Sequence, residues 1–306
     1  MGEQVGLTSG DGRVLILGAA GQLGCELRRS FAGGGEVLAV DRSVADLARP
    51  EQLRKFVREV RPDVILNAAA YTAVDRAESE TELAMAINGI APGVLAEEAL
   101  RLDALLVHYS TDYVFDGLKK DAWTETDTPN PQNTYGATKL AGERAIQQVC
   151  GRHLIFRTSW VYGPHGKNLL LTMLRLGKER DRLSVVDDQT GAPTTSIELA
   201  DATAKVVAGI REGRFGEAAD WAGVYHMSCG GATTWFGFTQ AIFARAGKLL
   251  DGKTPELTAI GTADYPTPAK RPRNSVMSNA KLRERFGVEL AAWPVALDAV
   301  LVALNS

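Results

Sequence analysis

Five short apolar runs, each separated from the next by a stretch of helical spacing, leave few folds open to this chain. They are "RVLIL" (13–17), "EVLAV" (36–40), "DVILN" (63–67), "ALLVHYS" (104–110) and "HLIFRT" (153–158). A strand that is apolar at nearly every position is buried on both faces. Helical patterns near 22–32, 50–60, 81–101 and 135–149 fill the gaps. Strands alternating with helices in this way build a parallel sheet covered on both sides. The fold class is therefore α/β, a doubly wound parallel sheet. After about residue 160 the alternation loosens into short strands ("LSVVD", "VYHMS"), helices and Pro-rich loops such as "DYPTPAKRPRNS". A smaller C-terminal cap is expected there. The sheet domain should span 13–166 plus about 196–227, and the cap about 167–195 and 228–306.

The first strand runs directly into "GAAGQLGCEL", with Gly18, Gly21 and Gly24 between strand and helix. Glycines there allow a tight turn, let backbone approach a pyrophosphate, and let helix pack on strand. The spacing is three and three, where the commonest dinucleotide fingerprint has two and then three. The strand–loop–helix setting makes the sheet Rossmann-type. Asp41 follows the second strand and is placed to bind an adenosine ribose, which favours NAD. Arg42 comes next and suits a 2′-phosphate instead. The two argue in opposite directions, so NADPH and NADH both stay open. Asp46-Leu47 are expected against the adenine. Asn67-Ala68-Ala69-Ala70 ends the third strand with small residues along the cofactor path.

Tyr135 and Lys139 sit four apart, on one face of a helix. A free phenol titrates near pH 10, too high for efficient proton exchange at neutrality. A neighbouring ammonium lowers that value and makes the phenol a usable acid or base. Beside a dinucleotide site the natural chemistry is hydride transfer to a carbonyl. "HYSTDYVFDG" (108–117) ends the fourth strand with Ser110, Thr111 and Asp112, where a hydroxyl can orient that carbonyl. Arg271 and Arg273, in a Pro-flanked loop, suit a diphosphate. Asn168 either reaches the nucleotide or starts a helix.

With Gly18/Gly21/Gly24, Asn67-Ala68-Ala69, Thr111, Tyr135 and Lys139 in order, the chain resembles the extended short-chain dehydrogenase/reductase family. The strings "VHYSTDYVFDG", "YGATKLAGE", "LIFRTSWVYG", "DDQTGAPT" and "YPTPAKRPRNS" resemble the branch that reduces keto sugar nucleotides. The resemblance implies reduction of the 4-keto group of dTDP-4-dehydro-β-L-rhamnose, in dTDP-rhamnose biosynthesis for surface polysaccharide. It makes Tyr135 the proton donor, Lys139 its modifier and ribose anchor, and Thr111 the carbonyl orienter. It sets Gly21-Gln22-Leu23, Asp41, Asp46-Leu47, Ala70-Tyr71-Thr72 and Tyr109 along the cofactor. It sets Thr111, Asp112 and Trp160 beside the sugar nucleotide. Asn88 corresponds to the family's helix asparagine, with a backbone or water-binding role at least as fitting as a catalytic one. Some members hold Mg²⁺ between subunits; Glu26, Glu198 and Asp201 fall in those regions, where solvated acids are the plainer reading.

Sugar-nucleotide dehydratases of the family carry Asp-Glu after the Thr, whereas here Asp112-Tyr113 follow, which favours simple reduction. A regulatory subunit of methionine adenosyltransferase also resembles this branch and binds dinucleotide as a partner protein. Loss of the substrate elements would mark that kind, and Trp160, "GAPT" (191–194) and Arg271 are all present. Epimerases remain a further alternative. The oligomeric state is open, a homodimer included.

The remaining composition narrows partners. The net charge is −3 over 306 residues with no basic block, so neither nucleic acid nor an anionic membrane surface is expected. The C-terminal "AAWPVALDAVLVALNS" carries Pro294 and Asp298 and reads as a packed helix. No secretory signal is read in "MGEQVGLTSGDGR", and the three widely spaced cysteines suit a reducing cytoplasm with buried thiols. The four histidines show no metal-ligand spacing, and no metal site is assigned.

Overall fold

A computed structural model describes residues 12–305; most of the stretch read for a signal lies outside them. All five apolar runs form strands: β1 (Val14–Leu17), β2 (Val37–Val40), β3 (Val64–Asn67), β4 (Leu105–Thr111) and β5 (His153–Thr158). They join Gly223–His226 in one six-stranded sheet, ordered Gly223–His226, β5, β4, β3, β1, β2. Every pairing in it is parallel. The chain reverses direction of travel between β1 and β3, so the carboxyl ends of these strands open a crevice.

Helices cover both faces. On one lie α1 (Gln22–Ser30) and, later, Ser196–Arg211, packing Leu23, Leu27, Leu199, Val206 and Val207 on Val14, Ile16, Val107 and Phe156. On the other lie α2 (Pro50–Val60) and Ala91–Leu102, packing Leu53, Val57, Leu95 and Ala99 on Leu15, Leu17, Ile65 and Leu106. Alternate strand residues feed the two cores, as the pleat requires.

The single helix expected near 81–101 is three pieces: Thr81–Met85, a π turn over Ala86–Ile90, and Ala91–Leu102. By length and apolarity the whole run Thr81–Leu102 would suit a membrane span, yet it packs Ala91, Val94, Leu95, Ala96 and Ala99 into the core. It also lies against the helix Thr134–Val149. Gly136 and Gly142 weaken that helix by propensity. Close approach explains them: a Cβ on Gly136 would meet the Tyr113 carbonyl, and one on Gly142 the Asn88 carbonyl.

The cap has its own core of Leu170, Met173, Leu174, Phe238, Ile242, Phe243, Leu297, Val300 and Leu301. These come from helices Leu169–Glu179, Trp235–Arg245 and the packed C-terminal helix Trp293–Asn305. Short two-stranded ladders tie it together, Arg182–Val186 with Glu256–Ile260 and Thr190–Gly191 with Thr233–Thr234. Leu282, Phe286, Val288 and Leu290 pack with the sheet, so the chain returns to the first domain inside the range expected for the cap. Cys150 and Cys229 are buried and Cys25 half-buried, all as free thiols.

Candidate active site

The glycine loop is a backbone cradle. Gly18 has φ +83, a left-handed conformation suited to glycine, and a Cβ there would lie 2.8 Å from the Ala69 nitrogen. A Cβ on Gly24 would strike the Gly18 carbonyl oxygen and lie 2.8 Å from the Ala19 Cα. Gly18 and Ala19 both donate to the Val40 carbonyl, at 3.0 Å each, which draws the loop to the end of β2. Gly21 caps α1 without any capping side chain, leaving first-turn N–H groups for a ligand. Such a terminus favours an anion. Gln22 is tied to the neighbouring loop, donating to the Lys167 carbonyl at 3.3 Å.

The residues after β2 and β3 border this cradle. Asp41 and Arg42 are both exposed immediately after Val40. Ser43 donates to Asp41 Oδ1 through its backbone (2.9 Å) and its hydroxyl (2.6 Å), and these bonds hold the carboxyl below its ordinary value. Asp46 accepts from the Ala48 nitrogen at 3.0 Å, while the Leu47 side chain is buried in the α2-side core. Ala70 and Tyr71 are half-buried and Thr72 is exposed. Asn88 fixes this strip from the π turn. Its Oδ1 accepts from the Tyr71 nitrogen at 2.9 Å and its Nδ2 donates to the Tyr71 carbonyl at 3.0 Å. The backbone role is thus the one it fills.

The helix Thr134–Val149 starts at Asn133, whose Oδ1 accepts from the Gly136 nitrogen at 2.8 Å. Its first turn holds Tyr135 half-buried, edge-on to Tyr113 with ring centres 5.5 Å apart. Thr111 ends β4, and its hydroxyl interacts with the Tyr135 phenol and donates to Asp112 Oδ1 at 3.1 Å. Burial pushes the phenol up to about 12, with the Thr111 bond opposing and the Asp112 charge adding. The phenol therefore holds its proton throughout the neutral range. Lys139 does not meet it as the spacing suggested. Its Nζ is buried under β4, donating to the Tyr109 carbonyl at 2.5 Å and lying 3.2 Å from His108 Nε2. Burial brings this lysine down to about 8, with Glu143 opposing.

Strand alternation separates two neighbours here. Tyr109 sends its ring into the other core, its hydroxyl 2.8 Å from Thr203 Oγ1, so only its carbonyl faces the site. His108 points the opposite way, toward Lys139.

Trp160, just after β5, and residues of the cap supply the remaining wall. Trp160 has φ +50 and stacks on Trp235, ring centres 3.4 Å apart and planes within 10°. Trp235 anchors itself by Nε1 to Gln189 Oε1 at 3.2 Å. Arg271 Nη2 pairs with Asp75 at 2.8 Å, and its buried Nη1 has no partner among the described residues. Arg273 is exposed. Of the two roles open to Asn168, the structure fills that of helix start: Oδ1 accepts from Leu171, and Nδ2 donates to Gln22 and to the Gly163 and His165 carbonyls. Trp235 and Asp75 escape sequence reading because their importance lies in partners far along the chain.

Glu26, read with Glu198 and Asp201 as a solvated acid, is buried at 4% exposure, and all three acids have partners within the chain. Arg29 pairs with both Glu26 and Asp201, and Glu198 accepts from the Ala291 nitrogen. Among the described residues no group of three His, Cys, Asp or Glu side chains is placed to hold a metal.

Asp112 is 3% exposed, and burial pushes its carboxyl up to about 6 against hydrogen bonds from Ser275 and Thr111. A folded value above the unfolded one means stability present at low pH is lost as pH rises through about 6. The loss is about 3 kcal/mol at most. Asp112→Asn should remove it. Urea unfolding at pH 4 and pH 7 should show the variant gaining on the parent at the higher pH; a gap independent of pH would refute the burial assignment.

The comparisons agree along the chain. The family model described as RmlD substrate binding domain matches residues 12–306. A dTDP-4-dehydrorhamnose reductase of Burkholderia thailandensis is 50% identical over 290 residues, covering 93% of this chain and 96% of that protein. One of Escherichia coli K12 is 44% identical over 293 residues, covering 94% and 96%. A crystal structure of dTDP-4-dehydrorhamnose reductase from Bacillus anthracis in complex with NADP superposes with TM-score 0.88 at 34% identity, covering 96% of this chain and all of that one.

Proposed function

Because this chain belongs to the RmlD substrate binding domain family, we propose that it is a reductase of dTDP-4-dehydro-β-L-rhamnose. It converts the 4-keto group to the hydroxyl of dTDP-L-rhamnose with a nicotinamide dinucleotide. The observation that carries the reading is one crevice bordered by a backbone cradle, the Tyr135 phenol and the Thr111 hydroxyl.

The residues present fit a dinucleotide. Gly18, Gly21, Gln22, Leu23 and Gly24 would hold the diphosphate, Asp41 and Arg42 the adenosine ribose, and Ala70-Tyr71-Thr72 the strip toward the nicotinamide. When bound, the reduced nicotinamide supplies a hydride to C4. The rest falls to this chain. Thr111, its single hydroxyl hydrogen turned from Asp112 to the keto oxygen, aims that oxygen at Tyr135. Tyr135 gives its phenolic proton to that oxygen as charge builds there. Lys139, held under β4 by the Tyr109 carbonyl, would anchor the nicotinamide ribose. Trp160, with Trp235 behind it, walls the sugar, and Arg271 offers its unpartnered Nη1 to the diphosphate. Asp112-Tyr113 offer no glutamate for water loss, which leaves reduction as the outcome.

The test is direct. Purified protein with the keto sugar nucleotide should oxidise NADPH or NADH, read at 340 nm. No oxidation with either would end the proposal.

Cofactor choice should follow the two residues after β2. Asp41→Ala should shift preference toward NADPH and Arg42→Ala toward NADH. A charge-assisted contact is worth about 1.5–3 kcal/mol, or roughly tenfold and more. The ratio of kcat/KM for the two cofactors measures it. An unchanged ratio in both variants would show that neither residue reads the ribose.

A further inference from the structure

Beneath the crevice a buried polar chain runs back from Lys139 through two residues, His108 and Asn67, that the reaction above does not use. His108 is 1% exposed, on the face of β4 covered by the helix Thr134–Val149. Its Nε2 lies 3.2 Å from Lys139 Nζ, and its Nδ1 lies 3.0 Å from the Asn67 amide nitrogen. Asn67 Oδ1, also buried, has no partner among the described residues.

These contacts restrict the protons. An ammonium only donates, so His108 Nε2 must accept from Lys139. Nδ1 then carries the ring hydrogen and needs an acceptor. Turning the Asn67 amide by half a rotation puts Oδ1 opposite Nδ1, and it gives the orphaned oxygen its partner. One arrangement then satisfies the ring and the ammonium: Lys139 donates to His108 Nε2, and His108 Nδ1 donates to Asn67 Oδ1. The Tyr109 carbonyl takes a second Lys139 hydrogen at 2.5 Å.

We propose that His108 is a positioning residue: oriented by Asn67, it and the Tyr109 carbonyl hold the Lys139 ammonium in place under the nicotinamide end of the crevice. The third Lys139 hydrogen is thereby left for ligand. The inference rests on the reductase reading for its consequence in turnover, and on the geometry alone for its effect on dinucleotide binding. A cationic histidine would repel Lys139, and burial beside that charge holds His108 well below its ordinary value, in the accepting form. The other charged group acting on Lys139 is Glu143 one turn on, itself bound bidentately by Arg157 of β5 at 2.6 and 2.9 Å.

The test compares His108→Leu, which removes the acceptor, with His108→Gln, which offers a neutral one, and with Asn67→Ala, a milder change. NADPH affinity is read by fluorescence from pH 6 to 9, without sugar substrate, and turnover is read separately. Loss of an acceptor makes Lys139 easier to deprotonate, so the alkaline loss of NADPH binding should move down by about one pH unit in His108→Leu. Turnover should fall about tenfold or more. His108→Gln should restore both to within about threefold, and Asn67→Ala should move the profile partway. If His108→Leu does not fold, Asn67→Ala and His108→Gln still report the profile. A folded His108→Leu with the parent's pH profile and turnover, whatever its melting temperature, would overturn the proposal; so would a His108→Gln as impaired as Leu. A parent protein that binds NADPH with the expected profile but reduces no keto sugar would sink the reductase reading and leave the role of His108 intact.

Discussion

Replacing Tyr135 by Phe should lower kcat by about 10²–10⁴ while leaving fold and dinucleotide affinity nearly unchanged. The ring keeps its edge-on contact with Tyr113. The hydroxyl alone is lost, and with it the proton that burial keeps in place up to about 12. Thr111 would still orient the keto oxygen, but no phenol would meet the charge developing on it. Titration with NADPH should give a dissociation constant within about twofold of the parent, because little of the cradle depends on this hydroxyl. A Phe variant that keeps more than half of the parent's kcat would mean that another group donates the proton.

The second large effect is expected at Gly24. An added methyl there meets main chain, the Gly18 carbonyl and the Ala19 Cα, and neither can move without opening the loop. Helix propensity favours Ala over Gly by about 1 kcal/mol. Overpacking against fixed atoms costs about 1–3 kcal/mol, and here it should win. Displacing the first turn of α1 also moves the N–H groups that would hold the diphosphate. A shift near 1 Å in such a constellation is worth about 10²-fold. Gly24→Ala should thus lose about that factor in turnover, bind NADPH more weakly and melt at lower temperature. Gly151→Ala, where an added Cβ meets nothing within 4 Å, is the control and should change none of these. Parent-like binding and melting in Gly24→Ala would show that α1 does not press on the loop as described.

What the sequence made legible follows the range of the forces. The strands could be read because burial on both faces leaves a continuous apolar run, and Leu15 and Ile16 meet opposite cores as such a run implies. The glycine loop was legible because its constraint is local. The π turn at Ala86–Ile90 was not: its residues fit an ordinary helix, and the bulge exists to bring Asn88 to the Tyr71 backbone. Lys139 shows the limit of spacing arguments. Four residues put it on the face of Tyr135, yet its long side chain turns under β4 to His108 and the Tyr109 carbonyl. Tyr109, expected along the cofactor, sends its ring by the pleat into the opposite core and leaves its carbonyl toward Lys139. Asp75 and Arg271 lie far apart in sequence, as do Trp160 and Trp235, too far for any local rule, so only the fold pairs them.

The central claim is that a hydride passes to C4 of a keto sugar nucleotide while Tyr135 supplies the proton. Nicotinamide carrying deuterium at its transferable position tests it in one measurement. With dTDP-4-dehydro-β-L-rhamnose, the product should carry one deuterium at C4, formed mole for mole with nicotinamide oxidation. Product without deuterium at C4, or dehydration of dTDP-glucose with no net change in added nicotinamide, would contradict it.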